Sequence, residues 1–169
     1  MITYKDLFKK IQQYESQFMA LKGAIADEYK AFFMYSSALV HCKNESIKEE
    51  FFQHSQEEHE HALLFADILK ELGGNYVIYD IYDVMYNGNC KFIPPYGNAL
   101  QLIKDNISGE NCAVDSYTEL LEKYDWSEEH SRIIKSIIND ENEHIEDLKK
   151  LRKKVEKEME QKMKEENEE

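Results

Sequence analysis

Helix breakers are scarce: two Pro and six Gly in 169 residues. That excludes a fold of short, frequently interrupted elements and leaves room for long helices, so an all-α protein is the expectation. Cysteine is scarce too. Cys42, Cys90 and Cys112 are an odd number without a C-x-x-C pair, which speaks against a disulfide framework or a thiolate zinc site and for free thiols. No stretch approaches the roughly 20 apolar residues of a membrane span, and Met1 to Lys10 carries charge without an apolar signal core. The expectation is a soluble, cytoplasmic chain. Positive charge is in deficit as well, 21 Lys+Arg against 34 Asp+Glu, a formal −13. Such a field repels nucleic acid and anionic membrane and concentrates cations, so metal ions suit it better than DNA.

What is present is helical periodicity. Thr3 and Asp6 have the spacing of a capping box, and Leu7, Phe8, Ile11, Tyr14 and Phe18 follow on one stripe, either a short leading helix or the start of a long one. From Leu21 the stripe is Leu21, Ala24, Glu28, Ala31, Tyr35 and Ala38. A second helix, with Ser46 and Glu49 resembling a cap, presents Phe51, Ser55, Glu58, Ala62, Phe65 and Ile68 and runs to a stop at Gly73-Gly74. The aromatic and β-branched run from Asn75 to Tyr86 reads as a long packed connection, because a lone strand has no hydrogen-bonding partner. Pro94-Pro95 then opens a third helix with Leu100, Ile103, Ile107, Glu110, Val114 and Tyr117 on its stripe, and Gly109 beside Glu110 would allow close approach there. Asp125 to Ser127 makes a turn with Ser127 as cap, and the last helix carries Ile134, Ile138, Glu141, His144, Leu148 and Val155. The expected organisation is an N-terminal helical extension over 1–17, a four-helix bundle over 18–155 and a charged tail over 156–169.

Four carboxylates thus interrupt four apolar stripes, and they repeat. Glu28 precedes Glu58 by 30 residues, Glu110 precedes Glu141 by 31, and a His follows each second Glu by three, His61 and His144. Tyr35 and Tyr117 each lie seven residues after the first Glu of their half. His54, Glu57, His59 and Glu60 read instead as a solvated helix face. An ionised carboxylate in an apolar core is costly unless it is paired or binds a metal. Four carboxylates and two imidazoles supply hard oxygen and borderline nitrogen ligands for iron or manganese, and the charge of four carboxylates balances two divalent ions. A Glu from each of two helices plus Glu-x-x-His from each of the other two is the ligand pattern of di-iron carboxylate bundles. On that template each His holds one metal, Glu58 and Glu141 bridge, and Glu28 and Glu110 are terminal.

The segments IADEYKAFFMYSSA around Glu28, EEHEHALLFADIL around Glu58 and His61, GENCAVDSYTELL around Glu110 and NDENEHIEDL around Glu141 and His144 resemble the site helices of the ferritin-like superfamily, most nearly those of bacterioferritin. The resemblance spans about residues 18 to 155. It implies a ferritin-like four-helix bundle with one long crossover between helices two and three, and a site of Glu28, Glu58, His61, Glu110, Glu141 and His144 holding two iron ions, with manganese or zinc as possible occupants. It further implies ferroxidase activity on Fe(II) with O2 or hydrogen peroxide, for iron storage and detoxification, in a homo-oligomer, with dimer, 12-mer and 24-mer left open and 12 or 24 subunits expected by family analogy for a cage. Tyr35 matches a site-adjacent tyrosine of bacterioferritin able to supply an electron, while a buried tyrosine merely bonded to a Glu is the simpler alternative.

Bacterioferritin has a haem-ligating Met where this chain has His59, which counts against haem. Rubrerythrins carry an additional Glu where this chain has Ala113, and usually a C-x-x-C module that is absent here. A rubrerythrin-like peroxidase that stores no mineral is therefore the runner-up. A metal-free helical interaction protein with a polar core is a third reading, disfavoured by what such a core would cost.

Overall fold

Thr3 and Asp6 cap each other reciprocally at the start of the first helix, the Thr3 Oγ1 accepting from the Asp6 backbone N–H and the Asp6 carboxylate accepting from the Thr3 N–H. Helix α1 then runs without a break over Tyr4–His41, so the leading apolar stripe belongs to one long helix. In the computed structural model, which describes residues 3–75, 81–94 and 97–168, four further helices follow: α2 Glu45–Glu71, α3 Ile81–Tyr86, α4 Ala99–Lys123 and α5 Glu128–Glu168. No strand occurs among the described residues. Ser127 caps α5 by accepting from the His130 N–H at 3.0 Å, and α5 continues through the charged tail because nothing in its sequence breaks it.

Three local expectations are corrected. Helix α2 is capped by Asn44, whose side chain accepts from the Ile47 N–H, and Ser46 lies inside the helix. Helix α4 opens at Ala99 under an Asn98 cap, not at Pro94-Pro95; the Asn98 side chain accepts the Gln101 N–H that a proline start leaves unpaired. The cysteines are not all free: Cys90 and Cys112 form a disulfide between the connection and α4, leaving Cys42 as a buried thiol. Residues 76–80 of the aromatic run lie outside the described residues, and its end forms the single-turn helix α3.

Cross-helix bonds fix the directions. Ser16, within the N-terminal half of α1, meets Tyr124 at the end of α4, and Tyr35 meets Glu110 further along, so these two helices are antiparallel. His130 meets Glu71 at one end of α5 and α2, while Asn44 meets Glu158 at the other, so these are antiparallel as well. With α1 and α2 joined as a hairpin, α2 and α4 must run the same way, and the α3 segment is the crossover that makes this possible. Two apolar clusters fill the bundle, one around Leu21, Ile25, Phe65 and Ile137, the other around Ile47, Phe51, Ile103 and Leu148. Along each helix the carboxylates fall between the two.

The crossover is tied to α1 by a buried ion pair. Asp27 and Lys30 lie one turn apart, 3.0 Å between Nζ and Oδ1, with both side chains almost fully enclosed. Asp27 accepts the backbone N–H groups of Asn89 and Cys90 at 2.7 and 3.0 Å, and Lys30 donates to the carbonyls of Asn87 and Cys90. Gly88 sits at φ +87°, and its Cα lies 3.4 Å from where a Cβ on Gly23 would be. Both glycines let the backbones close to contact. We expect Asp27→Ala, which strands the Lys30 ammonium in the interior, to cost about 3–5 kcal/mol in urea unfolding; a loss below about 1 kcal/mol would contradict the clamp.

Candidate metal centre

All six ligand-type side chains singled out by the repeat converge in one layer, and each is at most 4% exposed. They form two overlapping groups of mutually close ligand atoms: Glu28, Glu58, His61 and Glu141 on one side, and Glu58, Glu110, Glu141 and His144 on the other. Glu58 and Glu141 belong to both. Each group thus has one His, one Glu of its own and two shared carboxylates, the distribution that two adjacent cations bridged by two carboxylates require.

The close contacts are those of ligands aimed at common points. His61 Nδ1 lies 3.0 Å from Glu141 Oε1, and His144 Nδ1 lies 3.1 Å from Glu141 Oε2 and 3.1 Å from Glu58 Oε1. None is aligned as a hydrogen bond: both Nδ1 atoms and all the carboxylate oxygens of Glu28, Glu58 and Glu141 are buried without a hydrogen-bond partner. Orphaned buried polar atoms cost about 1–3 kcal/mol each, more when charged, and so many in one layer call for a bound group. Donors of imidazole nitrogen and carboxylate oxygen fit iron, manganese or zinc.

Without cations the layer must hold protons instead. Burial first, then the negative charge of neighbouring carboxylates, pushes Glu28, Glu58 and Glu110 well above the usual carboxylate range. Burial acts to raise Glu141 too, but the adjacent His144 and His61 outweigh it and hold its carboxyl at about 2. Burial opposes the imidazolium forms of those two rings, yet Glu141 and the other carboxylates carry His61 to about 9 and His144 to about 10.

A crossed pair of outer carboxylates, not foreseen from the sequence, orients both rings. His144 on α5 donates its Nε2–H to Glu57 Oε2 on α2 at 2.8 Å, and His61 on α2 donates its Nε2–H to Asp140 Oδ2 on α5 at 3.3 Å. Each outer carboxylate directly precedes a shared Glu, and each turns the Nδ1 of the opposite His inward. The signal lay in the repeat as acid-Glu-x-x-His, Glu57-Glu58-x-x-His61 and Asp140-Glu141-x-x-His144. The reading of His54 and Glu57 as solvated is therefore corrected. Glu57 is half-buried and bonded, and His54 is 2% exposed, stacked on His144 at 4.1 Å between ring centres. Burial and the neighbouring His144 hold His54 down to about 4, so it is neutral near pH 7. His59 and Glu60 are exposed, as expected.

Tyr35 is fully buried and donates its hydroxyl to Glu110 Oε1. Tyr117, its counterpart, has its hydroxyl buried without a hydrogen-bond partner, and burial and the Glu28 charge raise its pKa well above the phenol range. A cavity of about 20 Å³, lined by Ala31, Met34, Gly109 and Cys90 among others, reaches Glu28 and Glu110. A Cβ on Gly109 would meet only Met34, at 3.9 Å, so this glycine leaves room at the cavity rather than admitting another backbone.

A family model described as ferritin-like domain matches residues 19–161. Among solved structures the chain is similar to the dodecameric thioferritin of Bacteroides fragilis, a bacterioferritin-related protein, at 27% identity over 88% of this chain and 90% of that one, TM-score 0.80. Likeness of fold alone extends to the bacterioferritin of Desulfovibrio desulfuricans, which has a diiron site, at 17% identity over 86% and 83% of the two chains, TM-score 0.70. It extends also to a DPS protein of Vibrio cholerae, at 10% identity over 83% and 91%, TM-score 0.74. No curated protein sequence matches the chain.

Because divalent cations must displace protons from His61, His144 and the three raised carboxylates, their affinity should fall as pH is lowered and their binding should release protons. Calorimetric titration of metal-free protein with Zn(II) at pH 6 and pH 8, in buffers of different ionisation enthalpy, tests this. The expected result is tighter binding at pH 8 with net proton release; equal affinity without release would contradict it.

Proposed function

The chain belongs to the ferritin-like domain family, and from that premise we propose that it is a ferroxidase, oxidising Fe(II) at a two-iron centre for iron storage and detoxification. The observation that carries the reading is the pair of overlapping ligand groups with Glu58 and Glu141 in common. Fe(II) is the substrate. One ion takes His61 and Glu28, the other His144 and Glu110, and the two shared carboxylates keep them adjacent. Two Fe(II) give up one electron each. Hydrogen peroxide takes both and, with two protons, becomes two waters; O2 takes both and, with two protons, becomes hydrogen peroxide.

The protein supplies position, charge and exclusion of bulk water. Four carboxylates cancel the charge of two divalent ions, and oxidation leaves an excess of positive charge that favours a further anionic ligand and, in time, release. Glu57 and Asp140 fix the rings of His144 and His61, so the nitrogens are set before iron arrives. Tyr35 holds Glu110 through its hydroxyl and stands within reach of the centre as an electron source. The narrow cavity at Glu28 and Glu110 has room for roughly one water-sized molecule and offers a small oxidant a way to the layer. The dodecameric assembly of the Bacteroides fragilis relative carries over as a proposed homo-oligomeric shell of this chain.

Stopped-flow oxidation of Fe(II) added at two per chain tests the reading. Glu58→Ala and Glu141→Ala each abolish the rapid phase, whereas unchanged kinetics in both would overturn it. Light scattering of the wild-type protein is expected to give twelve chains of 20.0 kDa, about 240 kDa. A dimer that holds only two irons per chain and reacts far faster with peroxide than with O2 would point to a peroxidase without storage.

A further inference from the structure

His54 belongs to none of the six ligands, yet it is one of the most enclosed polar groups in the chain, at 2% exposure. Its hydrogen-bonding position fixes what its ring can offer. Nδ1 lies 3.4 Å from the Tyr35 hydroxyl oxygen, and the Tyr35 proton is already given to Glu110, so that oxygen can only accept and His54 Nδ1 must be the N–H. With Nδ1 turned to Tyr35, Nε2 is the ring nitrogen left to face a metal ion. It lies 3.4 Å from Glu50 Oε1, itself an acceptor, and an atom of Asp147 joins the same group, with all three ligand atoms within 4.8 Å of one another. One imidazole nitrogen and two carboxylates thus converge on a common point, with the Lys150 ammonium 2.6 Å from Asp147 at its edge. The alternative grouping of His54 with Glu57 and His144 is already engaged, because Glu57 Oε2 takes the His144 Nε2–H.

We propose that Glu50, His54 and Asp147 form a third divalent-cation site, separate from the two-metal layer and open to solvent. One imidazole and two carboxylates neutralise a divalent ion and suit the borderline metals, iron, manganese, cobalt and zinc. Two ligands on one ion with bonds of about 2.1 Å lie at most about 4.2 Å apart, so the observed spread closes by a small rotation of either carboxylate. Glu50 is 30% exposed, and its pKa is raised by burial and by the charges of Asp147 and Glu57, the repulsion that a cation would relieve. Asp147 is paired at 2.6 Å with Lys150, an exposed pair of the kind that contributes little and that a divalent ion displaces cheaply. An open cleft of about 450 Å³, with Glu49, Glu50, Asp147 and Lys150 on its walls, gives ions access from outside. Since His54 stacks on His144, an ion held here stands one imidazole ring from the two-metal layer. A staging role for incoming Fe(II) rests on the ferroxidase reading; the site itself does not.

Wild-type crystals soaked in Zn(II) and measured by anomalous diffraction at the zinc edge should show three ions per chain, two among the six ligands and one on His54 Nε2 with Glu50 and Asp147. The Glu50→Gln/Asp147→Asn double variant, which keeps side-chain shape on half-exposed positions, should retain the pair and lose the third, and titration in solution should read three against two. A filled pair with no density between His54 and Glu50 overturns the third site, as does a third ion that persists in the variant. A filled third site beside an empty pair supports this inference and overturns the ferroxidase reading.

Discussion

The bundle depends on one constraint: four carboxylates and two imidazoles enclosed in a single layer between two apolar clusters. Such a layer is expensive in an apolar setting, and replacing it by well-packed hydrophobic residues would ordinarily stabilise a fold. The cost is tolerable only while the negative charge is balanced, by protons in the metal-free chain or by two divalent ions. The raised carboxylates and the elevated His61 and His144 describe the first balance; the orphaned oxygens and Nδ1 atoms describe the geometry of the second. Binding of two divalent ions would exchange one for the other, and folding, protonation and metal affinity would then be coupled.

Around that layer the chain supplies orientation in pairs. Helices α2 and α5 each contribute a shared Glu, a His, and an outer carboxylate that reaches across to the other helix's His. Helices α1 and α4 each contribute one Glu and one Tyr, with Tyr35 bonded across to Glu110. The pseudo-symmetry breaks at the edges. The Asp27–Lys30 clamp and the Cys90–Cys112 disulfide fasten the crossover on the side where the narrow cavity reaches Glu28 and Glu110, and His54 sits on the other side against His144. The narrow cavity and the His54 cluster therefore lie on different faces of the layer.

The burial and convergence of the six side chains were legible in the sequence because a helix repeats its face every three to four residues, so a Glu on an Ile and Leu stripe declares its own burial. Two-fold repetition then separated these six positions from isolated polar residues. Glu57 and His54 were not legible in the same way. One sits at the margin of the stripe, and the other is enclosed because α1 brings Tyr35 against it and α5 brings His144 over it, the latter contact 90 residues distant in the chain. The long crossover was readable from its length, but its fastening by Asp27 and Lys30 depends on backbone groups of residues 87–90, which carry no periodic signal. The caps at Asn44 and Asn98 were within reach of sequence reasoning and were missed in favour of a serine and a proline pair nearby.

The central claim, that the buried layer is a two-metal site, is tested most directly by X-ray absorption on anaerobic protein loaded with two Fe(II) per chain. The account predicts a metal–metal scattering path at roughly 3.5–4 Å, with a first shell of oxygen and one nitrogen per iron. A first shell without any iron–iron path, or iron in six-water surroundings as in free solution, would contradict it.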